Sequence, residues 1–151
     1  MILVSGCLSG SNSFYNGRSR VCKLIKKLAG ENKAIPVCPE LLGSLSVPRE
    51  RSEIKGGTGV DVLAKKCRVI TISGRDVTDN FIAGAKHVLS LAKKYSVKKA
   101  VLKSRSPACG CGEIYDGSFT GKAIKGDGVT CALLKMNGVE VIKDEDFIKS
   151  L

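Results

Sequence analysis

No run of eighteen apolar residues occurs anywhere in the 151-residue chain, so no segment is expected to cross a bilayer as a helix. Met1-Ile2-Leu3-Val4-Ser5 also lacks the cationic start of a signal peptide, and the expectation is a cytoplasmic protein with no membrane association. Histidine occurs once, at His87, beside Lys86 within a helical pattern, and reads as a surface residue rather than an acid/base group. Aromatic residues are 5% of the chain. Few of them fall between the lysine pairs Lys26-Lys27, Lys65-Lys66, Lys93-Lys94 and Lys98-Lys99, which read in large part as solvated helix surface. The Gly-rich passage Thr120-Gly121-Lys122 and Gly126-Asp127-Gly128 lacks Walker spacing, which rules out a P-loop. Neither an internal repeat nor an interdomain linker interrupts the sequence.

What is present suits one folded domain over residues 1–151. Hydrophobic residues are 43% and charged residues 26%, the balance of an ordinary globular protein with a full core. The formal charge of +11 favours anionic partners, nucleic acid first, through phosphate attraction that needs no base reading. Seven cysteines, an odd number with no export signal, argue against a disulfide framework. They point to metal ligation, catalysis or packing.

Ile2-Leu3-Val4 reads as a central parallel strand ending at Cys7. Asn16-Gly17 signals a turn, and Val21, Leu24, Ile25 and Leu28 fall at helical spacing between about Arg18 and Ala29, with Cys22 packing beside that stripe. Ala34 to Val37 forms a second strand, one that Pro36 unsuits to full hydrogen bonding, and it ends at Cys38-Pro39-Glu40. Leu41 to Val60 reads as a long irregular loop, a candidate lid. The alternating run Cys67 to Ile72 is a strand with Cys67 at its start, away from the other thiols. Thr78 or Asp76 caps a helix whose inner face is Phe81, Ile82, Ala85, Val88, Leu89 and Ala92. Lys98 to Leu102 is the next strand, and Thr130 to Asn137 is a helix whose N-terminus could face an anion. Val139 to Ile142 and a tail helix from Asp144 to Leu151 close the chain. The fold class expected is α/β: a single-domain, Rossmann-like three-layer sandwich with a mainly parallel sheet.

Cys7, Cys38 and the Cys109/Cys111 pair follow the ends of three separate strands, which a parallel sheet lines up along one edge, where such sheets bind ligands. Three thiolates with an open fourth position suit either a catalytic zinc or an iron–sulfur cluster with one unsatisfied iron. Two of the cysteine sites stand alone rather than in close pairs, which fits a cluster better. An open iron has affinity for soft atoms, making a sulfur-bearing substrate a natural partner. After Leu102, Lys103 and Arg105 add positive charge and Ser104 and Ser106 add hydroxyl donors. Two other readings remain: a basic RNA- or nucleotide-binding module with structural zinc or free thiols, and a thiol redox enzyme. The C-x-C spacing of Cys109 and Cys111 speaks against the latter.

Val4-Ser5-Gly6-Cys7-Leu8-Ser9-Gly10, Pro36-Val37-Cys38-Pro39-Glu40, Lys103-Ser104-Arg105-Ser106-Pro107-Ala108-Cys109-Gly110 and Tyr115-Asp116-Gly117 together resemble the DUF523 family, which includes the thiouracil desulfurases. The resemblance implies a [4Fe-4S] cluster on Cys7, Cys38 and Cys109. It implies that the remaining iron takes sulfur from a thiolated pyrimidine, with water supplying the oxygen and no net redox change. It further implies Glu40 as the acid/base group, Lys103 and Ser104 as catalytic partners, and Ser5, Arg105 and Ser106 as substrate contacts. Gly6 and Ser9 stand where alanine and leucine are common in that family, Ser13 where cysteine is frequent, and the second domain of longer relatives is absent. Thiouracil, a thionucleotide and thiolated tRNA are all admissible substrates, and no oligomeric state is implied.

Overall fold

The computed structural model describes residues 1–9 and 23–149. The expected turn at Asn16-Gly17, the first part of the expected first helix, and Ser13 and Cys22 lie outside the described residues, as do the last two residues of the expected tail helix.

Four strands form the central parallel sheet: β1 (Ile2–Ser5), β2 (Ala34–Val37), β5 (Lys99–Leu102) and β8 (Glu140–Lys143), in the order β2-β1-β5-β8. Successive side chains on a strand face opposite ways, so β1 and β5 feed two cores. Leu3, Ala100 and Leu102 join the larger one, with Phe81, Ala85 and Val88 of α4 (Thr78–Lys94) and Leu134 of α5 (Val129–Met136). Val4 and Val101 turn to the other face and pack with Ile25 of α1 (Lys23–Gly30) and Phe147 of α6 (Asp144–Lys149). Helices thus cover both faces, giving the three layers expected. Pro36, which cannot donate to a ladder, lies on β2, which among the described residues is an edge strand paired with β1. His87 is exposed on α4, as expected.

Four expectations require correction. The stretch read as an irregular loop contains the end of the single-turn helix α2 (Pro39–Leu42), β3 (Ser52–Lys55) and the start of α3 (Gly59–Leu63). The run at 67–72 forms β4 (Arg68–Thr71), but it pairs antiparallel with β3 in a separate two-stranded sheet. The alternation of apolar residues reports one buried face and cannot say which strand is the partner. The N-terminus of α5 is turned to the chain itself: the N–H groups of Val129, Thr130 and Cys131 donate to the carbonyls of Pro107 and Ala108. At α4 the N-cap position is Val77, and the Asp76 carboxylate accepts both the Thr78 N–H at 2.9 Å and its hydroxyl at 2.6 Å. A further hairpin, β6 (Glu113–Tyr115) with β7 (Ala123–Lys125), had no expectation attached.

Candidate functional site at the carboxyl rim of the sheet

The chain leaves β1 for β2 on one side and reaches β5 on the other, which makes the gap beyond β1 and β5 the sheet's switch point. Open α/β sheets bind ligands at that place. A cavity of about 300 Å³ lies there, and all three cysteines singled out from the sequence line it. Cys7 sits in a 3-10 turn (Gly6–Leu8) directly after β1, and Cys38 is the residue before α2, directly after β2. Cys109 arrives from the loop after β5. The Ser106 hydroxyl accepts the N–H groups of Ala108 at 3.1 Å and Cys109 at 3.0 Å, winding that loop into a tight turn. The N-terminus of α5 then grips the same turn through the carbonyls of Pro107 and Ala108.

The thiols are close enough to influence one another. Burial pushes the Cys7 thiol up to about 11, with the neighbouring Cys38 acting in the same direction and the Lys103 ammonium against it. Burial pushes Cys109 further still, opposed by a hydrogen bond from the Ser5 hydroxyl and reinforced by Cys7, Cys38 and Glu40. Ser5 is itself fixed, because its oxygen accepts the Lys103 N–H at 2.9 Å across the sheet. As neutral thiols these groups suit a dry cavity, and metal binding would displace their protons.

Glu40 stands on α2 one helical step from Cys38 and also lines the cavity. Its carboxylate oxygen lies 2.9 Å from Arg49 Nη2, and that same nitrogen is 3.9 Å from Cys38 Sγ. Both side chains are largely buried, with 7% exposure for Arg49 and 17% for Glu40. Lys103 Nζ donates to Ser104 Oγ at 3.1 Å and pairs with Asp144 at 3.5 Å, while the Ser104 N–H donates to Asp144 Oδ1 at 3.1 Å. Asp144 is 7% exposed and begins α6, so the fourth strand of the sheet, β8, also delivers a group to this rim. The Ser104 hydroxyl, first, and the nearby cations hold the Glu145 carboxyl below its ordinary range. Arg105 lines the mouth, and its Nε is 2.9 Å from Glu113 in an exposed pair.

The far wall comes from the stretch read as a candidate lid and from the Tyr115-Asp116-Gly117 motif, neither of which had a lining residue assigned to it. Arg51, Ser52 and Glu53 of the β3 region and Tyr115 and Gly121 of the β6–β7 hairpin line the cavity. Buried Glu53 accepts the N–H groups of Gly117 at 3.0 Å and Phe119 at 3.1 Å, which holds the hairpin over the opening. This accounts for the glycine of Tyr115-Asp116-Gly117. Gly117 has φ +94°, and a Cβ there would stand 2.6 Å from the Ile54 carbonyl oxygen. Arg49, Glu53 and Asp144 are distant in sequence from the cysteines and follow no spacing rule. They sit in charged runs, Arg49 to Lys55 and Lys143 to Asp146, where nothing local separates them from solvated neighbours.

The two members of the Cys109/Cys111 pair part company. Cys109 faces the cavity, whereas Cys111 Sγ lies 3.5 Å from the Val141 carbonyl oxygen and forms a second group with Asp127 and Cys131. Cys67 is remote from the cavity, as expected, with its Sγ 3.7 Å from the Thr58 carbonyl oxygen. None of the described helices is long and apolar enough to cross a membrane.

Comparison with known proteins agrees with this geometry. The chain is 49% identical over 146 residues to the Bacillus subtilis (strain 168) protein YbbK, described as uncharacterized, covering 97% of each. A solved structure of the [4Fe-4S]-dependent thiouracil desulfidase TudS (DUF523Vcz) superposes with a TM-score of 0.85 at 37% identity, covering 98% of this chain and 93% of that one. Over residues 2–146 the sequence matches the family model for 2-thiouracil desulfurase, and the chain belongs to that family.

Proposed function

We propose that this chain, acting as one domain, is a thiouracil desulfidase that holds a [4Fe-4S] cluster on Cys7, Cys38 and Cys109. The observation that carries the proposal is the convergence of three thiols from three strand ends on one cavity, with no fourth cysteine among the described lining residues. That donor set fits a cubane with one iron left open. The similarity to TudS supports the same reading. When bound, the cluster would supply a Lewis-acidic iron with affinity for sulfur.

The remaining chemistry falls to side chains. Replacing C=S by C=O consumes one water and yields one hydrogen sulfide, with no electrons transferred. The water oxygen bonds to the ring carbon, its protons depart, and the carbon–sulfur bond breaks. Glu40 would take a proton from that water and return it to the leaving sulfur, a role supported by its orientation on Arg49 beside Cys38. Ser104, held by Lys103 and Asp144, would hydrogen-bond a polar edge of the pyrimidine. Lys103 adds positive charge where negative charge develops. Ser5 positions Cys109 and the backbone at Lys103, and Ser106 shapes the cysteine turn. Arg105 stands at the mouth, where it meets whatever the pyrimidine carries.

The cavity volume lies at the small end of ligand pockets, which favours the free base. The +11 charge and the arginines at the mouth leave room for thiouridine in a nucleotide or tRNA. Protein reconstituted without air should release sulfide and uracil in equal amounts from thiouracil. Cys7→Ser, Cys38→Ser and Cys109→Ser should each lose the brown cluster absorbance and the turnover, while Cys67→Ser keeps both. Absence of sulfide from free base, nucleotide and tRNA alike, with the cluster confirmed by iron analysis, would sink the proposal.

A further inference from the structure

Behind the cysteine turn, on the side away from the cavity, Cys111 Sγ, an Asp127 carboxylate oxygen and Cys131 Sγ all lie within 4.8 Å of one another. Cys131 lies in the first turn of α5 and Lys135 one turn further on, so a spacing of four puts these two on one helix face, and Asp127, just before the helix, reaches the same place. Cys131 is fully buried and Cys111 half-buried, while Asp127 is only partly covered. Asp127 is already oriented: its Oδ1 accepts the Gly112 N–H at 2.7 Å, and Lys135 Nζ lies 3.1 Å from each carboxylate oxygen. None of these residues lines the cavity.

We propose that Cys111, Asp127 and Cys131 form a second metal site that takes one zinc ion and clips the arm carrying Cys109 to α5. Two sulfurs and one carboxylate oxygen are a zinc donor set, and water reaching the partly covered Asp127 side completes the tetrahedron. A spread within 4.8 Å suits ligands of a single ion, and two thiols are too few for a cubane. Binding releases one proton from each thiol. Two thiolates and a carboxylate carry three negative charges, zinc two positive ones, and Lys135 brings the group to neutrality while keeping its bond to Asp127. The consequence lies two residues away: the turn holding Cys109 is already hydrogen-bonded to α5 at Pro107 and Ala108, and the zinc would fasten its other end.

This site does not depend on the desulfidase reading, and its test is separable from it. Protein purified without air, both cluster-loaded and as the Cys7→Ser/Cys38→Ser/Cys109→Ser variant, is titrated with zinc against a chromophoric chelator and examined at the zinc absorption edge. One equivalent should bind in both forms. The edge spectrum should show two sulfurs at about 2.3 Å and oxygens at about 2.0–2.2 Å. Cys111→Ser and Cys131→Ala should each weaken binding by at least about 100-fold, and Lys135→Met by about 10-fold. Asp127→Asn, at a partly exposed position, gives the same readout should Cys131→Ala fail to fold. Binding undiminished in Cys111→Ser, a zinc shell without sulfur, or a Cys111–Cys131 disulfide in protein kept from air would each overturn the proposal.

Discussion

Glu40 shows how one side chain acquires a role from its neighbours. By itself it is a carboxylate on the first turn of a four-residue helix; with Arg49 at 2.9 Å and Cys38 two residues back, it is held beside the thiols, where the base proposed above has to stand. Neutralising it should separate binding from chemistry. Glu40→Gln keeps the shape and the three cysteines, so the cluster absorbance is expected to remain while turnover falls about 10²- to 10⁴-fold. Cluster content and sulfide release, measured on the same sample, check this. The residue scale also shows what a motif conceals. Only Gly110 separates Cys109 from Cys111, yet one lines the cavity and the other groups with Asp127 and Cys131. Cys109 belongs to the turn closed by the Gly110 N–H on the Ser106 carbonyl and Cys111 lies beyond it, and nothing in the local sequence gives that division away.

Among the elements, α2 decides the most. It carries Cys38 at its start and Glu40 within it, and it is seated against α4 through two glycines. A Cβ on Gly84 would stand 1.9 Å from the Pro39 carbonyl oxygen, and one on Gly43 would stand 2.0 Å from that of Asn80. Gly84→Ala is therefore expected to push α2 outward, costing about 1–3 kcal/mol. It should also lower iron content by displacing Cys38 and Glu40 together. A denaturation midpoint and an iron assay on one preparation test both effects, and an unchanged iron content would dissociate packing from the site. The hairpin of β6 and β7 is the other element that matters, because buried Glu53 fixes it across the cavity mouth. Its strands are short, and its partner residues lie on β3, some sixty residues earlier in the chain. It was illegible for that reason: short strands lack the alternation that longer ones display.

For the molecule as a whole, stability on the acid side has a readable contributor. Hydrogen bonds from the Thr78 hydroxyl and N–H hold the Asp76 carboxyl below its ordinary range. A carboxyl depressed on folding contributes stability that is fully present above its unfolded value, about 3.9, and is lost as pH falls through the folded one. Asp76→Ala should cost about 1 kcal/mol at neutral pH, the usual worth of a helix-start acceptor. The gap between the two proteins should shrink as pH drops below about 4. Urea titrations at neutral and acid pH measure it, and a gap that does not change with pH would contradict the assignment. The +11 charge also belongs to this scale, bearing on attraction of anionic substrates rather than on the fold.

Composition and periodicity by themselves determined the α/β class, the inward face of α4, and the placing of Cys7, Cys38 and Cys109 after strands. They could do so because burial repeats every two residues in strands and about every 3.6 in helices, and a parallel sheet aligns its strand ends. The partner of β4, the separation of Cys111 from Cys109, and the recruitment of Arg49, Glu53 and Asp144 were decided only by the tertiary structure. Each depends on contacts between segments dozens of residues apart, and a pattern local to one segment carries no information about its counterpart.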